Sequence, residues 1–391
     1  MAKTTPANRS VGWIGLKRGH RANPIEWCLE RLIFLVSLTA ILMILLIFLF
    51  IGREALPVAL GRVNTALVQK TIPVSDLDKL SESQLSDYLG LTHDQFASMD
   101  RDTLRTLMEL KAESVHEGSS NQDAALNTAS WSCLVRPHQW SGYPRPEFIW
   151  QPVGEIPKYN LVPLIIGSLK VSVVALVFSV PLALAAAIYV AQMARPRIRE
   201  VAKPVIELLA GIPSVVLGFF ALIVMASALH GLFGYPSRLN ALVAGLALGV
   251  SVIPVVFSIA EDALTSVPRS YVQAALALGA SRWKAAWQVV LPAALPGVFA
   301  AVALGFGRAI GETMIVLMAS GNASIVSWNF LDSTRTITAT IAAELGEVVF
   351  SSPHYRILFL IGVLLFIVTF LTNLVADLVM HRLKSELEGK R

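Results

Sequence analysis

Six long runs of uncharged, apolar residues constrain the fold of this 391-residue chain more than any other feature. A run of about 18 or more such residues is long enough to cross a bilayer as a helix. Hydrophobic residues make up 54% of the chain and charged residues 15%, whereas a soluble domain carries about 25% charged residues. The sequence therefore predicts an all-α integral membrane protein with six transmembrane helices.

The predicted spans are separated by charged residues and polar loops. They are Leu32–Ile51, Val171–Ala194 with a start near Leu161, Leu208–Ser237 with an end near Leu229, Leu239–Ala260, Ala293–Ala319 and Ile357–Ala376. The first span is predicted to be an uncleaved anchor, because the 31 residues before it are too long and too mixed for the start of a signal peptide. Six spans place both termini on one side of the membrane.

Lysine and arginine are concentrated on one side of these spans. That side holds 17 of them, and the short loops of the other side hold three. The basic segments are 1–31, 192–203, 261–292 and 381–391, against the short loops 230–239 and 320–356. Short loops rich in positive charge face the cytoplasm, so both termini are predicted to be cytoplasmic. The clustering also explains the net charge of +5 without nucleic acid.

The spans divide the chain into five parts. These are a cytoplasmic segment 1–31, the first span 32–51, an insertion 52–160 on the opposite side of the membrane, a core 161–380 with five spans, and a cytoplasmic tail 381–391. Within the insertion, leucine spacing over Ser75–Glu117 predicts one or two amphipathic helices. Three tryptophans near its end are predicted to lie at the membrane interface: Trp131, Trp140 and Trp150. Deletion of residues 70–125 is expected to leave the membrane core folded.

Cysteine and histidine positions do not indicate a disulfide framework or a metal site. Cys28 and Cys133 fall on opposite sides of the predicted membrane and cannot pair with each other. The histidines of the insertion, His93, His116 and His138, are isolated in sequence. A membrane enzyme is therefore the least favoured class, since no nucleophile, metal ligand set or acid–base pair stands out.

The basic loop 261–292 has the pattern of two short helices joined by a glycine elbow. Ser266 is a possible N-cap for a helix that ends at Gly279, and Ser281 begins a second helix that ends at Leu291-Pro292. An elbow of this kind, small and apolar on one surface, suits insertion into a groove of a partner protein.

The spacing of this loop resembles the "EAA" loop of ABC-importer permeases. The matching positions are Gln273, Ala274, Ala275, Gly279, Val289, Leu291 and Pro292, with Gln in place of Glu and Val in place of Ile. The resemblance implies the type I, MetI-like permease fold and a loop that docks on a cytoplasmic ATPase. The chain has no phosphate-binding loop of the Gly-x-x-x-x-Gly-Lys-Ser/Thr type, so ATP would be hydrolysed by a separate polypeptide.

Two charged residues interrupt the fifth predicted span. Arg308 and Glu312 are four residues apart, which on a continuous helix places them on one face. An Arg within the bilayer is costly, and its planar fork suits a tetrahedral oxyanion. Arg308 is predicted to line a pathway with Glu312 orienting it; a structural ion pair is the alternative. Gly307 and Gly311 are predicted to allow close helix contact.

Other polar or helix-breaking residues near the spans have more local interpretations. Lys170 is predicted to snorkel from the outer end of the second span, with a pathway role as the alternative. Glu207 is predicted to pair locally with Lys203, and residues 211–214 are predicted to kink the third span at Pro213.

Three stretches resemble the phosphate-importer permeases of the PstC type. They are Gly307–Met314, Arg335–Glu347 and Leu208–Val215. The resemblance carries Arg308, Glu312 and Thr313 over as pathway residues, and Arg335 and Glu344 as members of a second motif whose role is open. A solvated helix face is the alternative for Glu344 and Glu347. Residues 65–145 lie outside the resemblance.

The resemblance implies a multi-pass protein of the bacterial inner membrane that binds no cofactor itself. Its partners would be a sister permease of the PstA type, an ATPase homodimer carrying ATP and Mg, and a periplasmic phosphate-binding protein. The chemistry of Arg308 alone indicates only an anion, so a molybdate or sulfate permease stays open. A membrane-anchored sensor that acts through the insertion is the alternative from another class.

Overall fold

A computed structural model describes residues 24–66, residues 103, 106, 107 and 123, and residues 126–387. Within these residues six helical segments are long and apolar enough to cross a membrane, as the sequence predicts. They are Leu29–Ala59, Val162–Met193, Ser214–Phe233, Ala241–Ser266, Arg282–Gly311 and Pro353–Arg382. The amphipathic helices predicted within 75–117 lie outside the described residues, apart from three isolated positions.

The secondary structure elements are numbered in chain order. They are α1 (Pro24–Ala59), α2 (Trp131–Val135), β1 (Trp150–Gln151), β2 (Lys158–Tyr159), α3 (Val162–Ile188), α4 (Pro196–Leu209), α5 (Ser214–Phe220), α6 (Ala226–Phe233), α7 (Ala241–Ser266), α8 (Arg269–Ala277), α9 (Arg282–Ala285), α10 (Leu291–Gly311), α11 (Met314–Ala319), α12 (Ile337–Glu344) and α13 (Pro353–Leu387). π-helical turns extend α3 and join α5 to α6 and α9 to α10. Consecutive spans alternate in direction, so α4 and α8 lie on the side of the C-terminus, termed the C-terminal side.

The fourth span, α7, is the centre of the membrane core because it packs against both α3 and α10. Its glycines allow this close packing: a Cβ at Gly245 would lie 2.5 Å from the side chain of Val174, and one at Gly249 would lie 2.7 Å from Phe178. Small residues at helix interfaces let backbones approach each other where no hydrophobic force drives association. The predicted core of apolar helices is thus formed around α7.

The chain between the second and third spans forms a separate helix, α4, which the sequence reading missed. The third span was expected from Leu208, but it begins at Ser214 after a turn that ends at Pro213. Proline has no N–H to continue the helical ladder and disfavours helical geometry in the residue before it. The kink predicted within the span is therefore a break between two helices.

A second buried cluster lies on the opposite side of the core from α4 and α8. It joins the end of α1, α2, the β1–β2 hairpin and the first turns of α3 and α13. Trp150 belongs to it, and Trp140 is also buried, so neither is a lipid-facing residue of an interfacial aromatic belt: both pack within the protein. Trp131 is exposed, and its indole N–H donates to the carbonyl of Ala59 at 2.9 Å.

The two ends of the segment between the first and second spans are bonded to each other. The backbone N–H of Thr65 donates to Asn127 Oδ1 at 3.2 Å, and Asn127 Nδ2 donates to the carbonyl of Val63 at 2.9 Å. The hydroxyls of Thr65 and Thr128 lie 2.7 Å apart. The two ends of this segment, Thr65 and Asn127, are therefore neighbours in space.

Candidate functional site

The fifth span is broken at Glu312. Helix α10 ends at Gly311, Glu312 has an extended backbone, and α11 begins at Met314. The Glu312 carboxylate accepts hydrogen bonds from the backbone N–H groups of Thr313 and Met314 at 3.1 and 3.2 Å. Its carbonyl accepts from the hydroxyl of Thr338 on α12 at 2.7 Å. The expectation that Glu312 shares a helix face with Arg308 is wrong, because the helix ends between them and the carboxylate binds backbone amides instead.

Arg308 lies near mid-depth of the core on a surface that the described part of the chain does not cover. Gly305, one turn earlier on α10, faces Val252 and Val256 in the middle of α7. Arg308 is about 4.5 Å further along the helix axis. The side chain is exposed, and within residues 24–66 and 126–387 it has no hydrogen-bond or ion-pair partner. A charge at mid-bilayer costs about 2.5–3.5 kcal/mol even on lenient scales, which favours a water-filled or protein-lined surface around it.

The glycines around Arg308 do not all serve helix contact as predicted. A Cβ at Gly305 would lie 2.6 Å from Val256, so this glycine permits the packing of α10 on α7. A Cβ at Gly307 would lie 3.4 Å from the side-chain oxygen of Asn373 on α13, whereas a Cβ at Gly311 would meet nothing within 4 Å. The prediction of close contact is therefore wrong for Gly311, which lies in open space beside the break.

Lys170 is buried instead of snorkelling to the membrane surface. Its ammonium group donates to the backbone carbonyls of Ser327 and Asn329 at 3.1 and 3.0 Å. A Cβ on Gly167, one turn earlier, would lie 2.1 Å from the carbonyl oxygen of Arg335. The second span is thereby bonded to the loop that connects α11 to α12. The same loop leads into α12, whose Thr338 binds the carbonyl of Glu312.

Arg335 and Glu344 form an ion pair at 2.7 Å in which Arg308 takes no part. The Glu344 carboxylate also accepts from the indole N–H of Trp150 at 3.0 Å and lies 2.9 Å from His354 Nε2. Burial, with the nearby charge of Glu344, raises the pKa of Tyr159 to about 12. The solvated helix face proposed for Glu344 is therefore wrong: its carboxylate braces the β1–β2 hairpin against α13.

The remaining acidic residue of that motif, Glu347, is exposed as the alternative expected. Within the described residues no group of His, Cys, Asp or Glu has the arrangement of a metal site. His138, which is isolated in sequence, lies 3.5 Å from the carboxylate of Asp123.

The loop on the C-terminal side has the predicted elbow. Helix α8 precedes Gly279, whose φ of +81° is the left-handed conformation that glycine adopts without strain. The Ser281 hydroxyl then caps α9 by accepting from the N–H of Lys284 at 3.3 Å. Two details differ: Ser266 is the last residue of α7 and not a cap, and α9 continues into α10 through a π turn without ending at Pro292.

The elbow displays large apolar side chains that the described part of the chain leaves uncovered. The exposed ones are Tyr271, Leu276, Leu278, Trp283 and Trp287. Leu278, next to the glycine, is 89% exposed, and the rings of Trp283 and Trp287 lie 5.6 Å apart. Exposed aromatic and aliphatic groups on an ordered elbow are typical of a protein-docking surface.

The predicted pair between Lys203 and Glu207 does not form. Lys203 Nζ donates to Glu261 at 2.8 Å and to Asp262 at 2.6 Å, and these two hydrogen bonds, Asp262 first, raise the pKa of Lys203 to about 12. Glu207 accepts instead from the hydroxyl of Ser258 at 3.4 Å. The sequence reading missed Glu261; two acids at the end of an apolar run, on the side that holds the basic segment 192–203, were the available signal.

Residues 179–387 match the family model described as "Binding-protein-dependent transport system inner membrane component". The chain belongs to this family. The match contains the elbow loop, Arg308 and the Arg335–Glu344 pair, and it confirms the predicted all-helical permease and its role in transport. The protein is a multi-pass membrane protein of the ABC-importer permease class.

Relatives with curated names extend this result. The chain is 36% identical over 222 residues to "Probable ABC transporter permease protein YqgH" of Bacillus subtilis, which covers 57% of this chain and 72% of the relative. It is 35% identical to "Phosphate transport system permease protein PstC" of Xylella fastidiosa, over 61% of this chain and 78% of the relative. "Phosphate transport system permease protein PstC 1" of Mycobacterium tuberculosis is 35% identical over 58% of this chain and 72% of that protein. The predicted resemblance to PstC-type permeases is confirmed.

Proposed function

We propose that this chain is the PstC-type permease subunit of an ATP-driven, binding-protein-dependent importer of inorganic phosphate. The observation that carries the proposal is Arg308, a guanidinium near mid-depth of a membrane core beside a broken helix, which no residue of 24–66 or 126–387 pairs with or covers. Substrate sites of membrane transporters lie near the midplane at such interruptions. The names of the PstC relatives support phosphate as the anion.

The geometry leaves Arg308 free for an anion because Glu312 is engaged elsewhere. The Glu312 carboxylate accepts from two backbone N–H groups and forms no ion pair with the guanidinium. An arginine fork can donate two parallel hydrogen bonds to a phosphate. The side chain of Thr313, at the same break, is part-buried and supplies a hydroxyl that can donate or accept. Arg308 would attract the anion, and the break between α10 and α11 would offer the anion a polar surface.

The proposal places both termini and the elbow loop in the cytoplasm, where the elbow docks on the ATPase. ATP and Mg would be bound by that ATPase homodimer, and this chain would bind no cofactor and catalyse no reaction. A sister permease of the PstA type would cover the open face around Arg308. A periplasmic phosphate-binding protein would deliver the substrate to the side of the insertion 52–160.

Phosphate uptake tests the substrate. Cells that lack this chain are given it back, and uptake of radiolabelled phosphate is measured with excess molybdate or sulfate as competitors. Restored uptake that neither competitor reduces is the expected result. Inhibition by molybdate or sulfate would assign the permease to that oxyanion instead, and a chain that copurifies with no ATPase would support the sensor.

Two variants test the site and the elbow. Arg308→Ala should abolish uptake while the assembled complex is recovered in normal amount, and Arg145→Ala, at an exposed arginine in another region, should leave uptake unchanged. Loss of assembly in Arg308→Ala would instead make the residue structural. Gly279→Leu should separate ATP hydrolysis from uptake because a bulky residue is strained at φ +81°, whereas Gly346→Ala, where a Cβ meets nothing within 4 Å, is the matched control.

A further inference from the structure

Glu261 is a fully buried carboxylate that holds two cations of another helix. It lies in the last turns of α7, and its exposed fraction is 0%. One oxygen accepts from Arg199 Nη2 at 2.7 Å and from the hydroxyl of Thr265 at 2.8 Å. The other accepts from Lys203 Nζ at 2.8 Å. A buried carboxylate is tolerated only when it is paired and hydrogen-bonded in this way.

The two cations attach α4 to the rest of the core. No residue of α4 is buried, although Ala202 and Ile206 pack partly against the apolar cluster. Arg199 and Lys203 are one turn apart on the same helix and reach the same carboxylate from one side. Charge-assisted hydrogen bonds of this kind have fixed directions, so a shift of Glu261 would move α4 with it.

The position of Glu261 along the chain connects it to the elbow. Helix α7 ends at Ser266, and α8, the first helix of the elbow, begins three residues later at Arg269. On the other side of the ion pairs, α4 leads through the short turn that ends at Pro213 into the third span. The ion pairs therefore join α7, which precedes the elbow, to α4, which precedes the third span.

We propose that Glu261 is a positioning residue that transmits movement of the elbow to α4 and to the start of the third span. The inference rests on the proposed function, since it requires an ATPase bound to the elbow. Binding of nucleotide to that ATPase moves α8 and the end of α7. Because Glu261 is hydrogen-bonded to Arg199 and Lys203, α4 moves with it. The turn at Pro213 absorbs the change of direction.

The test measures the movement of α4 directly in the full complex of permeases and ATPase in lipid. Val205, exposed on α4, is replaced (Val205→Cys) in a chain in which Cys28 and Cys133 are changed to serine. The rate of maleimide labelling is compared between the nucleotide-free and the ATP–vanadate-trapped complex. We expect the rate to change by at least about fivefold, the lower end of typical coupling between sites, and Glu261→Gln to remove this change.

Control variants separate transmission from simple stability. Glu200→Gln, at an exposed acid of α4, should keep the nucleotide response. Lys203→Gln, at a partly exposed partner of the fully buried carboxylate, should reduce it even if Glu261→Gln fails to assemble. In reconstituted vesicles, Glu261→Gln should also lower the phosphate transported per ATP hydrolysed, counted per assembled complex.

The outcomes distinguish this inference from the proposed function. A wild-type complex whose α4 labelling ignores nucleotide would overturn the inference, and so would a Glu261→Gln or Lys203→Gln complex that responds like the wild type. A nucleotide response that depends on Glu261, in a complex that does not carry phosphate, would reject phosphate and retain the inference. A chain that binds no ATPase would overturn both.

Discussion

We expect that residues 70–120 can be removed without loss of the membrane core, because Thr65 and Asn127 on either side of them are bonded to each other. Thr65 and Asn127 are 62 positions apart and are joined by hydrogen bonds from both the N–H and the hydroxyl of Thr65. A Gly-Ser junction in place of residues 70–120 therefore needs no movement of either end. This deletion is shorter than the one over 70–125 that the sequence suggested.

The two deletions should differ in stability because only the longer one removes Asp123. Shortening a loop of 62 residues to roughly 13 lowers its closure entropy, which favours the folded state by about 1.4 kcal/mol. Asp123 is buried, and its carboxylate accepts from the N–H of Ser141 at 2.7 Å and lies 3.5 Å from His138. Loss of a hydrogen bond to a charged group costs about 1.5–3 kcal/mol, which offsets that gain.

Size-exclusion chromatography of heated detergent extracts measures the difference. The deletion over 70–120 should elute as a single species and melt at or above the full chain, and the deletion over 70–125 should melt at a lower temperature. Asp123→Asn in the full chain should reproduce part of that loss. Aggregation of the shorter deletion, or a midpoint below that of the longer one, would refute the reasoning.

Three further predictions concern the side of the core opposite to α4 and α8. Gly167→Ala should destabilise the protein by about 1–3 kcal/mol, since its Cβ would lie 2.1 Å from a backbone oxygen, and Gly346→Ala should not; equal thermal midpoints would contradict this. Lys170→Met should expose the loop after α11 to proteolysis because two carbonyls lose their donor; unchanged cleavage would show that these two bonds are dispensable. Tyr159 should ionise late: its pKa of about 12 lies above the unfolded value of about 10, so its contribution to stability is complete below pH 10 and is lost as pH rises to 12. Absorbance titration of Tyr159→Phe should lack that late phenolate step, whereas Tyr271→Phe should keep it.

The elbow loop shows which structural features a local sequence pattern can predict. Gly279 adopts the left-handed conformation and Ser281 caps the next helix, as their positions in sequence predict. Both features depend on residues within one turn of each other. The end of the second elbow helix was predicted at Pro292, but a proline in the first turn of a helix is tolerated there and the helix continues into the fifth span.

The charged residues show where the sequence stops being sufficient. A spacing of four placed Arg308 and Glu312 on one helix face, but the helix ends at Gly311 and Glu312 binds backbone N–H groups instead. A snorkelling lysine was the ordinary expectation for Lys170, yet its acceptors are carbonyls of a loop 157 and 159 positions away. Neither partner is visible in a window of the sequence.

The sequence by itself determined the six spans, the elbow and the family, because partition into a bilayer and helix capping depend on contiguous residues. Tertiary structure decided which charges are free and which are bound. Glu261 meets Lys203 across 58 positions, and Glu344 meets Trp150 across 194. A buried charge must be satisfied by whichever donor the packed helices bring near it, so its partner is fixed by the packing and not by spacing along the chain.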